Sequence, residues 1–185
     1  ALNPVLGALA LWGAGLAAAL PCTALAADSL VVDLEQRLAR GGVASVNEYL
    51  SEPAAGAAMM PRLHRQTAAC ELQAVSLALR LARGANAQAV QAHEESLRAA
   101  TGRCARFILA LASATEVPRV CASQAAWGAA QTARELRRRI ADIEADKLLR
   151  ATAQGQACQA AYLHELKTTR VTLRVASPSH ASSER

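Results

Sequence analysis

Residues 62–111, RLHRQTAACELQAVSLALRLARGANAQAVQAHEESLRAATGRCARFILAL, decide the fold class of this 185-residue chain. The stretch predicts two helices, over 62–83 and 87–111, because apolar residues recur there at helical spacing. Residues 84–86, Gly-Ala-Asn, supply the turn between the two helices. The sequence therefore predicts an antiparallel helical hairpin in the middle of the chain.

Each arm of this hairpin carries one cysteine on its apolar stripe, Cys70 in the first arm and Cys104 in the second. The turn lies almost midway between them along the sequence. Because a helix rises about 1.5 Å per residue, the two cysteines would stand within about one helical turn of the same height. A disulfide between Cys70 and Cys104 is therefore the first choice.

The start of the chain has the composition of a secretory signal peptide. An uncharged, Ala/Leu-rich run over 5–20 is followed by Ala24 and Ala26 in a small-x-small pattern, and then by Asp28. Signal peptidase cleaves after such a pattern. We therefore expect residues 1–26 to be a signal peptide that is removed after Ala26.

Two other interpretations of this segment stay open. It could remain as a transmembrane helix, but such a helix requires about 20 continuous apolar residues, and this one is interrupted by Pro21 and by several glycines. It could also be a lipoprotein signal ending at Cys22, although Pro21 stands where such signals carry a small residue. Cleavage predicts a periplasmic or secreted protein in an oxidising compartment.

The rest of the chain predicts further helices separated by Gly and Pro, and Ala, Leu, Arg, Gln and Glu dominate it. The expected segments are helices over 29–40 and 45–52, a loop over 53–61, a long helix over 119–152, and a final helix over 157–167, with 171–175 as a strand or helical extension. We expect one all-α domain over 27–176, an antiparallel bundle of four to five helices, and a disordered tail over 177–185.

Removal of the signal segment would leave four cysteines, an even number that implies two disulfides in an exported protein. They are Cys70, Cys104, Cys121 and Cys158. A straight helix over 119–152 would separate the last two by tens of ångströms, whereas a disulfide requires Cα atoms within about 7 Å.

Three arrangements satisfy this limit. In the first, the long helix breaks at Trp127-Gly128, so that Cys121 can reach Cys158. In the second, Cys104 pairs with Cys121 and Cys70 with Cys158, and in the third, Cys121 and Cys158 bridge subunits. The alternative is a cytoplasmic protein with four free thiols.

Metal binding is the first chemical function to weigh. His93, Glu94 and Glu95 could supply ligands together with His64 or Glu71 of the neighbouring arm. In the register of the hairpin, however, His64 lies far from the turn and His93 close to it, so they are not expected to meet. A solvated helix face explains this cluster better, and we expect no metal and no cofactor.

Catalytic motifs are missing from the sequence. It contains no H-E-x-x-H, no C-x-x-C-H, no G-x-S-x-G and no glycine-rich phosphate loop. Cysteines that form disulfides are not free to act as nucleophiles. We therefore expect a protein that is not an enzyme.

The chain carries 20 basic and 15 acidic residues, a mild excess of positive charge. Arg137, Arg138 and Arg139, with Arg134 and Lys147 nearby, form its one concentrated basic cluster. Successive helix positions point about 100° apart, so the three arginines fan out into a charged solvent face. Five aromatic residues in the whole chain are too few for base stacking, and we expect no nucleic-acid partner.

Two large aromatic residues are candidates for partner contacts, because such rings are favoured in binding hot spots. They are Trp127 and Tyr162, which together with Arg134, Arg137 and Arg138 form the predicted partner-binding set. The sequence thus predicts an exported, non-catalytic protein that binds another cell-envelope protein, as an adaptor, chaperone or inhibitor does. A metal- or small-ligand-binding bundle and a membrane-tethered helical protein are the two alternatives.

Overall fold

The computed structural model describes residues 29–176, and the expected signal peptide and tail lie outside the described residues. The described residues are entirely helical apart from their connections. The helices are α1 (Ser29–Ser51), α2 (Pro53–Ala68), α3 (Leu72–Leu81), α4 (Ala87–Leu111), α5 (Val117–Val120), α6 (Ala129–Ala145), α7 (Lys147–Ala151) and α8 (Ala153–Ala176). The all-α class is thus confirmed, with more helical segments than the four or five expected.

The first helix was expected to end at residue 40, but it only bends at the glycine pair that follows, Gly41-Gly42. Gly42 has φ 73° and ψ −179°, in the region that only glycine occupies without strain. The helix resumes after Gly42 and continues to Ser51, where Pro53 begins α2. Proline suits that position, because the first turn of a helix has no internal partner for its N–H groups.

The loop expected over 53–61 is wrong, since these residues belong to α2. The helix runs through Pro61 and ends at Ala68, so the single helix expected over 62–83 is also wrong. The break has a Schellman geometry, in which the Cys70 and Glu71 N–H groups donate to Thr67 O and Gln66 O. Cys70 takes the left-handed position of this motif, with φ 68°.

The hairpin itself is present as α3 and α4, joined by the turn at Gly84 to Asn86. The side chain of Asn86 caps α4 by accepting the N–H of Ala89 at 3.0 Å. Cys70 and Cys104 form a disulfide, with Cα atoms 6.3 Å apart, as predicted. Cys104 also marks a kink in α4, where its φ of −134° and ψ of 46° leave the helical region.

The helix expected over 119–152 is broken, which resolves the geometry of the second disulfide. The short helix α5 ends at Val120, an irregular segment follows, and α6 begins after Gly128. This is the break at Trp127-Gly128 that one of the three alternatives required. This break lets Cys121 return to α8, where it pairs with Cys158 at a Cα–Cα distance of 5.3 Å. A second break at Asp146 separates α6 from α7.

The last helix, α8, is longer than expected at both ends. It continues through 171–175, which settles the choice between strand and helix there. Gly155, which precedes the start expected at residue 157, lies in the first turn of α8, where its N–H donates to the capping hydroxyl of Thr152 at 2.9 Å.

Gly155 is required for this junction, because a Cβ atom there would lie 2.0 Å from the Leu149 carbonyl oxygen. We expect Gly155→Ala to lower the free energy of unfolding by about 2 to 3 kcal/mol, since the clash is with backbone that cannot rotate away. Gly128→Ala is the matched control, because a Cβ at Gly128 meets no atom within 4 Å. Urea unfolding of both variants measures the difference. Equal midpoints would contradict the tight α7–α8 turn.

Two apolar clusters form the interior of the described residues. One contains α1 and α2 side chains such as Leu34 and Leu63, and the other joins α4 to α6 and α8 through residues such as Leu97 and Leu136. Helix α3 contributes to both clusters, with Leu77 on one side and Val75 on the other. Among residues 29–176, no helix combines the length and apolar character that crossing a membrane requires.

Candidate functional site

A chain of buried hydrogen bonds crosses the first apolar cluster. His64 Nε2 lies 3.2 Å from His93 Nδ1, and His93 Nε2 lies 3.2 Å from the side-chain oxygen of Asn47. The amide nitrogen of Asn47 then donates to the Leu81 carbonyl at 3.0 Å. These four groups, called the histidine chain below, connect α2, α4, α1 and α3 in that order.

The hydrogen bonds fix the protonation of both imidazoles. Because the Asn47 nitrogen donates to Leu81 O, the Asn47 oxygen must accept, and His93 therefore carries its proton on Nε2. His93 Nδ1 is then an acceptor, so His64 donates from Nε2. The chain is complete when both histidines are neutral.

Burial keeps these histidines neutral. His93 and Asn47 are fully buried, and His64 is half-buried. Desolvation, with a smaller contribution from His64, lowers the pKa of His93 to about 3, and desolvation also lowers the pKa of His64. At neutral pH the pair is therefore uncharged.

The expectation that His64 and His93 would not meet is wrong, and so is the solvated face assigned to His93. The error follows from the single helix expected over 62–83. Because the chain reverses at Cys70, residues before that point form α2, which packs beside α4 as a separate helix. His64 thereby reaches His93 across two adjacent helices.

The two glutamates after His93 form ion pairs with arginines. Glu94 contacts Arg98 at 3.1 Å and Arg119 at 3.2 Å, and Glu95 contacts Arg98 at 2.9 Å. Among residues 29–176, no group of three His, Cys, Asp or Glu side chains is arranged to hold a metal ion. Of the residues weighed as metal ligands, His64 and His93 thus come together, but no third ligand among the described residues joins them.

A second buried polar centre lies around Arg139, whose exposed fraction is 4%. Its guanidinium donates to the Arg98 carbonyl at 3.0 Å, the Tyr162 hydroxyl at 3.3 Å and Glu135 at 3.3 Å. It also lies over the ring of Trp127, 5.0 Å from the ring centroid. The charged solvent face predicted for all three consecutive arginines is therefore wrong for Arg139, because Leu136, Arg139 and Ile143 share the inner face of α6.

Two of the predicted partner contacts belong to this centre. Tyr162 is 1% exposed and burial raises the pKa of its hydroxyl, so its ring is part of the core and not of the surface. Trp127 is half-buried. Gly102 lets α4 approach the Arg139 side chain closely, since a Cβ at position 102 would lie 2.6 Å from the Arg139 guanidinium.

The outer face of α6, defined here by Ala130, Arg134, Arg137 and Ala141, contains two of the exposed arginines of the basic cluster. Within the described part of the chain, neither Arg134 nor Arg137 has an ion pair. Arg138 differs, because it pairs with Glu135 and with Asp142 and donates to the Gly102 carbonyl. The face thus presents two uncompensated guanidinium groups between small residues.

Sequence reasoning missed one surface feature, an apolar groove between α1 and α3 with a volume of about 560 Å³. Val32, Leu72 and Leu111 line it and are 39%, 59% and 40% exposed. Its rim is polar, and the one carboxylate there, Glu35, is held by Arg80 at 2.8 Å. Helical spacing gave no signal for this exposure, because Leu72 shares the apolar stripe of Val75 and Leu79 and is exposed at the first residue of α3.

Comparison with known proteins does not assign a function. No protein-family model, curated protein or solved structure matches this chain. Function is therefore argued from the geometry of the described residues.

Proposed function

We propose that this is an exported, non-catalytic protein of the periplasm or cell surface that binds another envelope protein, as an adaptor, chaperone or inhibitor does. The outer face of α6 is the proposed contact surface. Its partner is a protein segment rich in Asp and Glu side chains. The single observation that carries this proposal is the pair of exposed guanidiniums, Arg134 and Arg137, without ion pairs in the described chain.

Charge complementarity selects an acidic partner. Guanidinium groups bind carboxylates through two parallel hydrogen bonds, and Arg134 and Arg137 lie on the same side of α6 because they are three positions apart. Ala130 and Ala141 extend this side by one turn in each direction, and both are exposed. Such small side chains allow the backbone of a bound segment to approach closely.

The proposed location is consistent with the two disulfides, which indicate an oxidising compartment outside the cytoplasm. In that compartment the mature chain begins at Ala27. Its N-terminal sequence, read from protein recovered from an envelope fraction, tests this part of the proposal. A mature chain that still carries residues 5–20 would favour the membrane-tethered alternative.

Charge reversal tests the contact surface. We expect Arg134→Glu with Arg137→Glu to weaken partner binding at least tenfold, and the loss to be larger at low salt, because the attraction between exposed charges is screened by ions. Photo-crosslinkers placed at Ala130 and Ala141 identify the partner in cells and locate the bound acidic segment. Replacing the carboxylates of that segment should weaken binding as much as the charge reversal does.

The matched control reverses two exposed arginines elsewhere, Arg40 and Arg65, which changes the net charge by the same amount. This variant should still form the crosslinked adduct with the partner and should bind the partner with unchanged affinity. Adducts that survive reversal of Arg134 and Arg137 would contradict the proposal. Adducts formed only from a crosslinker at Leu72 would instead place the partner on the groove between α1 and α3.

A further inference from the structure

The histidine chain is not used by the proposed contact surface, and it connects parts of the fold that the sequence separates. Its four members come from α1, α2, α3 and α4, and its central residue, His93 of α4, hydrogen-bonds to a side chain of α1 and to one of α2. Buried polar networks hold elements together only when every member is satisfied. A change at one member therefore acts on all four helices.

We propose that His64 and His93 form an acid-sensitive latch, which holds α1 and α2 against α4 while both imidazoles are neutral and releases them when the pair takes up protons.

The hydrogen-bond pattern explains the release. One added proton can be shared along the His64–His93 contact, although it places a positive charge in a buried site. A second proton would put an N–H group on both sides of the 3.2 Å contact, where no acceptor remains. The contact must then break, and His93 would have to leave its bond to Asn47 or carry its charge in an apolar cluster.

No charged group among the described residues is placed to neutralise that proton. From α1 the group that faces His93 is the neutral amide of Asn47, from α2 it is His64, and from α3 the chain ends on the Leu81 carbonyl. On α4 itself, Glu94 and Glu95 are engaged with arginines. Among the described residues, His64 is the titratable neighbour that acts on the pKa of His93, and its protonated form lowers that pKa.

The Cys70–Cys104 disulfide makes this opening local and reversible. It joins the end of α2 covalently to α4, beyond the histidine pair along both helices. Helices α1 and α2 can therefore move away from α4 while remaining tethered to it. The second apolar cluster, with α6 and α8, contains no member of the histidine chain.

The sign of the pH dependence follows from the lowered pKa values. A histidine that is harder to protonate in the folded state stabilises it fully above the unfolded pKa of about 6.5, and this stabilisation is lost as the pH falls toward the folded pKa. An imidazole that stays neutral in the closed form raises the opening constant about tenfold for each pH unit below 6.5. His93, whose pKa is lowered to about 3, contributes this full amount, and the lowered pKa of His64 adds to it, toward an upper bound of about a hundredfold for the pair.

Acidic groups act in a different window. Burial acts to raise the pKa of Glu116, but hydrogen bonds from Arg83 and Ser113 outweigh it and lower that pKa to about 2. The stabilisation from such a carboxylate is lost only as the pH falls below about 4.5. A response between pH 6.5 and 5 therefore belongs to the histidines.

Hydrogen–deuterium exchange of the oxidised protein at pH 7, 6 and 5, corrected for intrinsic exchange rates, tests the latch. We expect protection of peptides from α1 and α2 to fall between tenfold and a hundredfold from pH 6 to 5, while α6 and α8 keep theirs. Equal responses in all helices, or no response in α1 and α2, would overturn the proposal.

Three variants separate the latch from general acid sensitivity. His93→Gln should retain a donor to Asn47 and lose most of the response, and His64→Gln, at a half-buried position, should give a smaller fall in protection than the unchanged protein. His164→Gln removes an exposed histidine of α8 and should leave the response unchanged. An undiminished response in His64→Gln would refute the latch even if His93→Gln did not fold.

Discussion

Replacing Arg139 by alanine is expected to lower the free energy of unfolding by about 3 to 5 kcal/mol, the range measured when one partner of a buried charged network is removed. The side chain is almost completely buried, and its loss would leave a cavity between α4, α6 and α8. The Arg98 carbonyl, which lies inside α4, would lose a second hydrogen bond, and the Tyr162 hydroxyl would lose its donor. An unsatisfied buried polar group costs about 1 to 3 kcal/mol.

The neighbouring residue provides the control for this prediction. Arg138 is exposed, and its ion pairs with Glu135 and Asp142 are of the kind that contributes about 1 kcal/mol or less. Arg138→Ala should therefore shift the urea midpoint only slightly. If the two alanine variants unfold at the same denaturant concentration, Arg139 does not have the structural role assigned to it.

The charge of Glu135 explains why Arg139 can be buried at all. Hydrogen bonding from Arg138 is the largest cause that lowers the pKa of Glu135, so this carboxylate stays ionised and compensates the buried guanidinium. The basic cluster therefore has two separate roles. Arg139 holds α6 against α4, with the neighbouring Arg138 keeping Glu135 ionised, whereas Arg134 and Arg137 face outward.

Periodicity predicted the helical class and the central hairpin, because both depend on local spacing of apolar residues. The Cys70–Cys104 pair followed from the same spacing, and counting cysteines gave the number of disulfides. The requirement that Cα atoms approach within about 7 Å also gave a correct warning about the helix over 119–152. Its break at Gly128 was one of the solutions that this distance allowed.

The polar centres could not be predicted in this way. Where α2 ends depends on a Schellman turn that places Cys70 in a left-handed conformation, and cysteine gives no local signal for such a turn. One missed reversal was enough to separate His64 from His93 in the expected register. The burial of Arg139 likewise depends on acceptors contributed by α4 and α8, which are distant in sequence.

Among changes to covalent bonds, loss of the second disulfide, Cys121–Cys158, is expected to lower the free energy of unfolding most. Changing Cys121 and Cys158 together to alanine should lower the free energy of unfolding by about 2 to 4 kcal/mol, because the bond closes a loop of 37 residues in the unfolded chain. Both positions are buried, so alanine avoids leaving free thiols in the core. Urea unfolding under non-reducing conditions measures this change.

This bond also determines how the end of the fold is assembled. Helix α5 contains only four residues, and no helix of that length is stable alone. The disulfide holds the segment after it against α8, where Glu165 accepts the Ser123 N–H at 2.9 Å. We therefore expect loss of the bond to increase hydrogen exchange in residues 117–128 more than in α3. A peptide map that links Cys104 to Cys121 would contradict this pairing and support the arrangement in which Cys70 pairs with Cys158. A disulfide-linked dimer would contradict it in favour of a bridge between subunits.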